Sequence, residues 1–398
     1  MITSDITSRQ SMRVAMPIIT ILDNFADLRR AVEQLGTPLH EAGINDIFCS
    51  LAWHELLFLH GLEPSNQQPT PCKLILIHHP DQQSLVCLPL LATHTLDSLS
   101  NYYSSLYSCL SWSALGSAAA QKRPDRSDCE AFCQTLRQMA PRCPVITLGP
   151  LDAGSPFFSE MRAALSRSAY WVDVYFCFGN WYLELAGRSF AQYYPTLPSA
   201  LRHSIERGQR RLTHAGAWQI QIHQHPGPLL EQATADFAQV YSRSWKKPEP
   251  NPDFIPGLIR QAASHGWLRL GILLLAGQPV AAQLWLVKGN KANIFKLAYV
   301  SGFERFSVGS VLTQAMMQQV IDLDQVQEVD YLSGDDAYKR DWMSHRRERW
   351  GLVAFAPTTP GGLWRALKHF VGKRFKSAGT QRPHQAASSR QAGGPVNS

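Results

Sequence analysis

The sequence predicts an α+β protein that contains the same unit of helices and antiparallel strands twice. In each half of the chain the apolar segments follow one another as helix, hairpin, helix and strand, and turn residues separate them. With 398 residues, 45% of them hydrophobic, the chain has enough apolar material for two cores or for one unusually large domain. The repeat is one of pattern and not of residue identity.

The first half contains the shorter version of this unit. Apolar and aromatic residues over 45–59 indicate a helix, and the turn Pro-Asp-Gln-Gln at 80–83 joins two apolar runs into a predicted hairpin. A helix over 128–140 and a strand over 144–148 complete the unit. Turns at 149–150 and 154–156 then mark a domain boundary. We therefore place an N-terminal domain at 13–165.

The second half repeats this order with one more strand. Three strands with short turns between them are expected to be consecutive and antiparallel, and a strongly amphipathic helix follows them. The predicted helices cover 229–246, 253–264 and 308–323, and the predicted strands cover 267–275, 280–287, 292–299 and 327–332. We place the C-terminal domain at 170–358 and a basic tail at 359–398. The fold class is thus α+β, with mixed, mostly antiparallel sheets flanked by helices.

The net charge of +7 belongs to the tail and not to the body of the protein. Residues 361–398 contain no acidic residue and seven basic ones, namely Arg365, Lys368, Lys373, Arg374, Lys376, Arg382 and Arg390. The first 360 residues are therefore neutral overall, and no nucleic-acid partner is expected.

The tail also predicts a short amphipathic helix over 363–376. Its apolar residues are Leu363, Trp364, Leu367, Phe370 and Val371. Two interpretations stay open: the helix contacts an anionic membrane surface peripherally, or its apolar face packs on the body of the protein and the charges keep it soluble. The residues beyond it are rich in Ser, Gly and Gln, which predicts disorder.

The cysteines and the N-terminus favour a cytoplasmic protein, with peripheral attachment to the inner face of a membrane as the open alternative. All eight cysteines fall within the first 177 residues and none forms a Cys-x-x-Cys pair, so a zinc ribbon is not expected. The His pairs at 78–79 and 223/225 lack partners at ligand spacing, and we expect no metal. No apolar run reaches the length of a signal peptide core or of a transmembrane helix.

The segment 305–310, Arg-Phe-Ser-Val-Gly-Ser, follows the third predicted strand and begins the amphipathic helix. Free N–H groups at a helix N-terminus, with Gly permitting close approach, attract phosphate groups. An ordinary Ser/Gly helix start has the same composition. The position of segment 305–310 after three predicted antiparallel strands favours the pyrophosphate-binding interpretation.

Residues 190–345 resemble the FemAB-like acetyltransferases of the GNAT superfamily, the CelD-type or cellulose-biosynthesis group. The likeness lies in three stretches: the basic segment LPSALRHSIERGQRRL at 197–212, the turn FSVGSVL at 306–312, and DYLSGDDAYKRDW at 330–342. The last is similar to the family's Asp-x-x-x-Gly-x-x-x-Tyr-Lys-x-x-Trp segment. The turn departs from the superfamily motif at Val308 and Ser310.

This resemblance implies tandem GNAT-like folds, in which the C-terminal copy binds acyl-CoA and the N-terminal copy shapes the acceptor groove. The implied residues for acyl-CoA are Lys296, Leu297, Ala298, Arg305, Ser307, Val308, Gly309 and Ser310. The candidates for catalysis are Tyr299 as acid and Asp335 or Asp336 as base, and those for acceptor binding are Arg202, Arg207, Trp245, Tyr338 and Lys339. Tyr299 could instead cap the sheet, the two aspartates could cap a helix, and the arginines could lie on a solvated helix face.

The expected activity is transfer of an acyl group, with acetyl-CoA as the favoured co-substrate, to an amine or hydroxyl of a sugar, polysaccharide or cell-envelope precursor. One alternative is a catalytically weakened GNAT-like scaffold that binds a polysaccharide-synthesis partner or a membrane surface. A second is a tRNA-dependent aminoacyltransferase. The second is disfavoured because the stretch between Leu212 and Gly289 contains no charged heptad run of the kind that forms a helical arm.

Overall fold

The computed structural model describes residues 16–34, 39–41, 46–62, 71–114 and 124–379. The start of the predicted N-terminal domain at residue 13 and the predicted disordered segment after residue 379 lie outside these ranges. The α+β class is confirmed, since helices flank a single mixed sheet.

The strands of the sheet are β1 (Ile18–Leu22), β2 (Leu39–Glu41), β3 (Cys72–His79), β4 (Ser84–Ala92), β5 (Leu96–Ser98), β6 (Leu110–Ala114), β7 (Val145–Asp152), β8 (Trp171–Glu184), β9 (Trp218–His223), β10 (Leu268–Leu275), β11 (Gln278–Lys288), β12 (Lys291–Tyr299), β13 (Glu328–Ser333) and β14 (His345–Phe355). The helices are α1 (Phe25–Glu33), α2 (Leu51–Leu56), α3 (Arg126–Met139), α4 (Pro156–Arg167), α5 (Phe190–Tyr193), α6 (Ser199–Ala215), α7 (Pro228–Ser242), α8 (Phe254–Ser264), α9 (Val308–Gln318), α10 (Ala337–Trp342) and α11 (Pro360–Gly379).

The repeat predicted from the pattern is visible in the strand pairing. In each half an antiparallel run ends in a short parallel pair, β5 with β7 in the first half and β12 with β13 in the second. Every other strand pair in the described ranges is antiparallel. Each parallel pair is bridged by a helix, α3 or α9. The two halves are therefore two copies of one topology.

The two copies exchange their last strands. Strand β8 follows β7 and α4 along the chain but pairs with β13 of the second half, whereas β14 follows β13 and α10 but pairs with β7 of the first half. β8 and β14 also pair with each other, from Trp171 opposite Phe355 to Tyr182 opposite His345. The predicted boundary near 165–170 follows the chain, but the sheet runs on without a break there.

Buried charges join the four strands at this junction. Asp330 on β13 is fully buried, and the Nζ atom of Lys291 on β12 lies 2.8 Å from its carboxylate. Arg347 on β14 forms an ion pair with the same carboxylate, and Asn180 on β8 donates a hydrogen bond to it. We call these four residues the junction cluster. Each charge is compensated by a partner on another strand, and Arg347 reaches across β8 to Asp330, so the cluster holds β12, β13, β8 and β14 in register.

The first half also covers one face of the second half's sheet. Trp53 of α2 is 1% exposed and packs edge-on against Phe254 of α8, with ring centroids 5.8 Å apart. Tyr103, from the loop after β5, stacks on Phe254 with ring centroids 3.9 Å apart. Burial of aromatic rings of this size contributes about 3–5 kcal/mol each. The loop that contains Tyr103 is thereby fixed beside β12.

Candidate active site

The candidate site begins where β12 and β13 separate. The two strands pair in parallel only from Lys291 to Asn293 on β12, opposite Glu328 to Asp330 on β13. Beyond Asn293, β12 pairs with β11 alone among the described strands, and its register shifts at Phe295. The junction cluster includes Asp330, the last residue of β13 that pairs with β12. It therefore fixes the point from which an opening between the strands widens.

Backbone N–H groups of β12 point into this opening. Val300 donates its N–H to the carbonyl of Val280 on β11 at 2.9 Å. Because successive residues of an antiparallel pair turn their backbone groups to opposite sides, Ala298 also faces β11, whereas Leu297 and Tyr299 face the opening. The N–H of Leu297 is thus placed to donate to a carbonyl oxygen bound between the strands.

The N-terminus of α9 lies at the mouth of the same opening. Ser307 adopts a left-handed backbone with φ of 50° and provides no side-chain cap to the helix. The first backbone bond of the helix runs from the N–H of Val311 to the carbonyl of Ser307 at 2.9 Å. The N–H groups of residues 308–310 therefore have no acceptor within the helix and can bind an anion.

Helix α6 packs directly against this turn. A Cβ atom at Gly208 would lie 2.4 Å from the Phe306 carbonyl oxygen, so only glycine allows the approach. The hydroxyls of Ser204 and Ser307 are 2.9 Å apart, and Arg211 donates to the Arg305 carbonyl at 2.5 Å. The predicted basic helix thus contributes its small residues, and one arginine, to holding the turn.

A cavity of about 460 Å³, which we call the donor cavity, lies between the opening and the turn. It contains most of the residues predicted from the sequence: Leu297, Ala298, Tyr299, Ser307, Val308, Gly309, Ser310, Trp245, Tyr338 and Asp336. Trp245 packs on Tyr299 with ring centroids 4.4 Å apart, which places this predicted acceptor residue on the donor side. A Cβ at Gly309 would touch the Tyr299 ring at 3.3 Å.

Gln283 on β11 was not predicted from the sequence. Its side chain is buried, and its Nε2 donates to the Gly309 carbonyl at 3.0 Å and to the Thr313 hydroxyl at 2.8 Å. The indole N–H of Trp285 donates to its Oε1 at 2.9 Å. A buried amide with all these partners fixes the first turn of α9 against the sheet. The sequence signal that could have identified Gln283 is a polar residue in the middle of a strand whose neighbouring positions are apolar.

A second cavity of about 210 Å³, the acceptor-side cavity, is adjacent to the donor cavity. Leu297, Tyr331, Asp336, Tyr338 and Lys246 line both. The loop after β5 supplies part of its wall, so both halves of the chain build it.

The carboxylate of Glu249 holds this wall together, because four donor groups bind it. Lys296 lies 2.6 Å from its carboxylate, Tyr241 donates to it at 2.5 Å and Tyr103 at 2.9 Å, and Tyr102 also donates a hydrogen bond. Burial raises the pKa of Glu249, but these donors outweigh that effect and hold the pKa below its usual value. Glu249 is therefore an anion that joins the two halves.

The tyrosines of the donor cavity are held protonated. Burial, with a smaller contribution from Asp336, raises the pKa of Tyr338 to about 12, and burial with Glu304 raises that of Tyr299. Each phenol can give a proton to a strong base but does not accept one at neutral pH. Burial lowers the pKa values of Lys296 and Lys339.

Four predicted residues lie outside both cavities. Asp335 forms an ion pair with Arg346 at 2.7 Å and accepts a hydrogen bond from the Trp181 indole, so its carboxylate is engaged outside both cavities. Arg202 donates to the Leu197 carbonyl at 3.2 Å beside its own helix, and Arg207 is exposed. Arg305 is exposed and its guanidinium stacks on Phe306. These arginines line neither cavity. Gly208 packs against the turn before α9, so the small residues of α6 face that turn.

The side chains of two predicted lysines, Lys296 and Lys339, line the acceptor-side cavity. The side chain of Lys296 points into the acceptor-side cavity and pairs with Glu249, so only its backbone remains near the donor cavity. Lys339 is buried, donates to the Ser333 carbonyl and lies 3.3 Å from Asp336. It lines the acceptor-side cavity while fixing the loop after β13.

A known acetyltransferase family matches the part of the chain that builds this opening. A domain family described as "Acetyltransferase (GNAT) domain" matches residues 199–340, which run from the start of α6 into α10 and contain all the residues that line the donor cavity except Asp341 and Trp342. The chain is an acyltransferase enzyme with tandem GNAT-like folds. No curated protein matches its sequence significantly.

Solved structures with the same fold share little sequence with this chain. A conserved protein of unknown function from Bacteroides thetaiotaomicron is 11% identical, with 85% of this chain and 100% of that chain covered and a TM-score of 0.50. FemX is 8% identical, with 84% and 96% covered and a TM-score of 0.50. A tandem GNAT protein from the clavulanic acid biosynthesis pathway is 11% identical, with 79% and 98% covered and a TM-score of 0.41.

Within the described ranges, no group of three or more His, Cys, Asp or Glu side chains is arranged to hold a metal ion. The Nε2 atom of His79 lies within hydrogen-bond distance, 2.6 Å, of the buried Asp128 carboxylate. None of the helices in these ranges combines the length and the apolar character needed to span a bilayer.

Proposed function

We propose that this protein is a FemAB-like, CelD-type acyltransferase. It transfers an acyl group, preferably acetyl, from acyl-CoA to an amine or hydroxyl of a sugar, polysaccharide or cell-envelope precursor. The opening between β12 and β13, with the start of α9 at its mouth, is the observation that carries the proposal. It offers three N–H groups for a pyrophosphate and one for the acyl carbonyl, and this donor set fits acyl-CoA.

Residues of the chain stabilise the reacting carbonyl and transfer the two protons. Acyl-CoA supplies the activated thioester when it is bound. The N–H of Leu297 stabilises negative charge on the carbonyl oxygen, and Tyr299 or Tyr338 gives a proton to the departing thiolate. Asp336 lines both cavities and accepts the proton of the incoming amine or hydroxyl. The C–N or C–O bond forms as the C–S bond breaks.

Calorimetry with acetyl-CoA tests the donor cavity. Gly309→Glu places a carboxylate beside the N–H groups of α9, and binding is expected to be lost. Gly309→Gln is the matched control, because it adds the same bulk without the charge and is expected to retain more affinity. Equal affinity of Gly309→Glu and the wild type would overturn the proposal.

The alternatives give different results. A catalytically weakened scaffold predicts that acetyl-CoA does not raise the melting temperature of the purified protein. A tRNA-dependent aminoacyltransferase would need a long helical arm in the second half. Residues 213–289, which the structure describes completely, form the end of α6, two helices of 15 and 11 residues and strands β9 to β11. This favours acyl-CoA as donor.

A peripheral membrane contact is also part of the proposal, and α11 provides it. One face of this helix packs on the body: Ala366 is buried, and Asp173 accepts hydrogen bonds from His369 at 2.8 Å and Lys373 at 2.7 Å. The opposite face leaves Trp364 70% exposed, with Leu367 at 45% and Val371 at 50%.

Basic residues flank this apolar face, which suits an anionic lipid surface. Arg365, Lys368 and Arg374 are all exposed, and each adds about 1 kcal/mol of attraction near such a surface. Sedimentation with phosphatidylglycerol vesicles at low salt should capture the protein, and phosphatidylcholine vesicles should not. Trp364→Glu should reduce capture, whereas Leu323→Glu, at a leucine 72% exposed elsewhere, should not. A full-length protein that stays in the supernatant at low salt would refute the contact.

A further inference from the structure

The acceptor-side cavity has an unbalanced positive charge. Three lysines line it, Lys246, Lys296 and Lys339, together with a single carboxylate, Asp336. Lys339 pairs with Asp336 at 3.3 Å, and Lys296 pairs with Glu249 at 2.6 Å from behind the wall. Each of these two ammonium groups therefore has one carboxylate of its own.

Lys246 has no such partner. Its Nζ lies 5.6 Å from the centroid of the Trp245 ring, and no ion pair joins it to another residue in the described parts of the chain. It lines both cavities at the point where they meet. The positive charge of Lys246 also lowers the pKa values of Lys296 and Lys339, in addition to the larger effect of burial.

Two adjacent tyrosine rings form part of the wall of the acceptor-side cavity, next to Lys296. Tyr102 and Tyr103 have ring centroids 4.0 Å apart, and the Nζ of Lys296 lies 5.0 and 5.2 Å from them. Both phenols are held by Glu249. The tyrosines are therefore held in place, and the ammonium group of the cavity that has no carboxylate partner is that of Lys246.

We infer that the acceptor carries an anionic group, a carboxylate or a phosphate, close to its reacting amine or hydroxyl, and that Lys246 binds this group. The inference rests on the proposed acyl transfer and names the class of its acceptor. An anion at this position neutralises the one excess charge and lies next to Leu297, where the acyl carbonyl is expected. Lys246 is thus a specificity-determining residue and not a proton carrier.

Matched acceptors test the inference with acetyl-CoA as donor. Glucosamine 6-phosphate is compared with glucosamine for the phosphate, and glycine with glycinamide for the carboxylate. The wild type should favour the anionic member of one pair in kcat/KM by about 10-fold to 100-fold, the effect of one hydrogen bond to a charged group. Lys246→Met should remove this preference by lowering kcat/KM for the anionic acceptor only. Lys247→Met, at the exposed neighbour, is the control and should behave as the wild type.

Melting temperatures with sodium phosphate or sodium acetate, against sodium chloride at equal ionic strength, give a readout without turnover. One of the two anions should stabilise the wild type and fail to stabilise Lys246→Met. Absence of any anion effect and of any acceptor preference would overturn the inference. A loss of acetyl-CoA affinity in Lys246→Met would also overturn it, because Lys246 would then serve the donor. After either of these two outcomes, the proposed acyl transfer is judged separately by whether the wild type binds acetyl-CoA. Binding would leave the proposed function in place, and lack of binding would refute it.

Discussion

Replacement of Gly208 by alanine should weaken donor binding while leaving the fold in place. The new Cβ would lie 2.4 Å from the Phe306 carbonyl oxygen, whereas ordinary contacts begin at 3.4 Å. The backbone of the turn therefore has to move away from α6 by about 1 Å. This turn begins α9, so the N–H groups of residues 308–310 move with it.

The size of the effect follows from hydrogen-bond geometry. A bond from N–H to phosphate oxygen at about 2.9 Å is lost when the atoms separate by a further ångström. Each bond to a charged group contributes about 1.5–3 kcal/mol, so the loss of one lowers acetyl-CoA affinity by about 10-fold to 100-fold. Stability should change less, because alanine within a helix recovers about 1 kcal/mol relative to glycine.

Calorimetry with acetyl-CoA and urea unfolding measure the two quantities separately. Gly372→Ala on α11 is the matched control, since no atom lies within 4 Å of the added Cβ, and it should bind acetyl-CoA as the wild type does. If Gly208→Ala binds acetyl-CoA with unchanged affinity, the turn does not hold the donor by its backbone and the assignment of the donor cavity is wrong.

Two further predictions concern the aspartates. Asp336→Asn should lower turnover by about 100-fold or more if Asp336 is the base, whereas Asp335→Asn should retain most activity; equal loss in both would show that the loop acts only as a structural unit. Asp330→Asn should destabilise the protein by about 3 kcal/mol, the lower end of the range for a broken buried ion pair, because it removes the buried carboxylate that Lys291 and Arg347 share and leaves them only Asp46 and Glu328 as partners. Burial raises the pKa of Asp330, but the two cations outweigh it and the pKa is lowered, so its contribution to stability is complete above about pH 4 and declines as the pH falls further. Urea midpoints from pH 7 to pH 3 should show this decline in the wild type and a weaker one in Asp330→Asn, and parallel curves would contradict the role of Asp330.

Sequence patterns were sufficient where local periodicity determines structure. The three strands β10 to β12, helix α9 and the turn between them could be predicted because apolar residues recur at strand or helix spacing with glycine and serine at the turn. The helix predicted over 229–246 ends at Ser242 instead, and this leaves Trp245 in a loop where it reaches Tyr299.

The strand exchange could not be predicted from local patterns. Strand β14 begins with His-Arg-Arg-Glu, a composition that predicts a solvent-exposed segment. In the structure Arg347 forms ion pairs with Glu328 and Asp330 on β13. Glu249 stands between two prolines and reads as an exposed turn, yet its partners Tyr102 and Tyr103 are nearly 150 residues away. Sequence also does not reveal which of two adjacent aspartates faces the cavity, and here Asp336 does while Asp335 turns to Arg346.

The exchange of strands explains why one opening can serve two ligands. The junction cluster holds β12 and β13 together up to Asp330 and no further, so the position of the opening depends on residues from both halves. The same halves meet again at Glu249, which fixes the Tyr102–Tyr103 wall against β12. The donor and acceptor-side cavities then share Leu297 and Asp336, the residues that we propose to offer an N–H to the carbonyl and a carboxylate to the nucleophile. Because both ligands are positioned by one rigid sheet, their reacting atoms can meet without a domain movement.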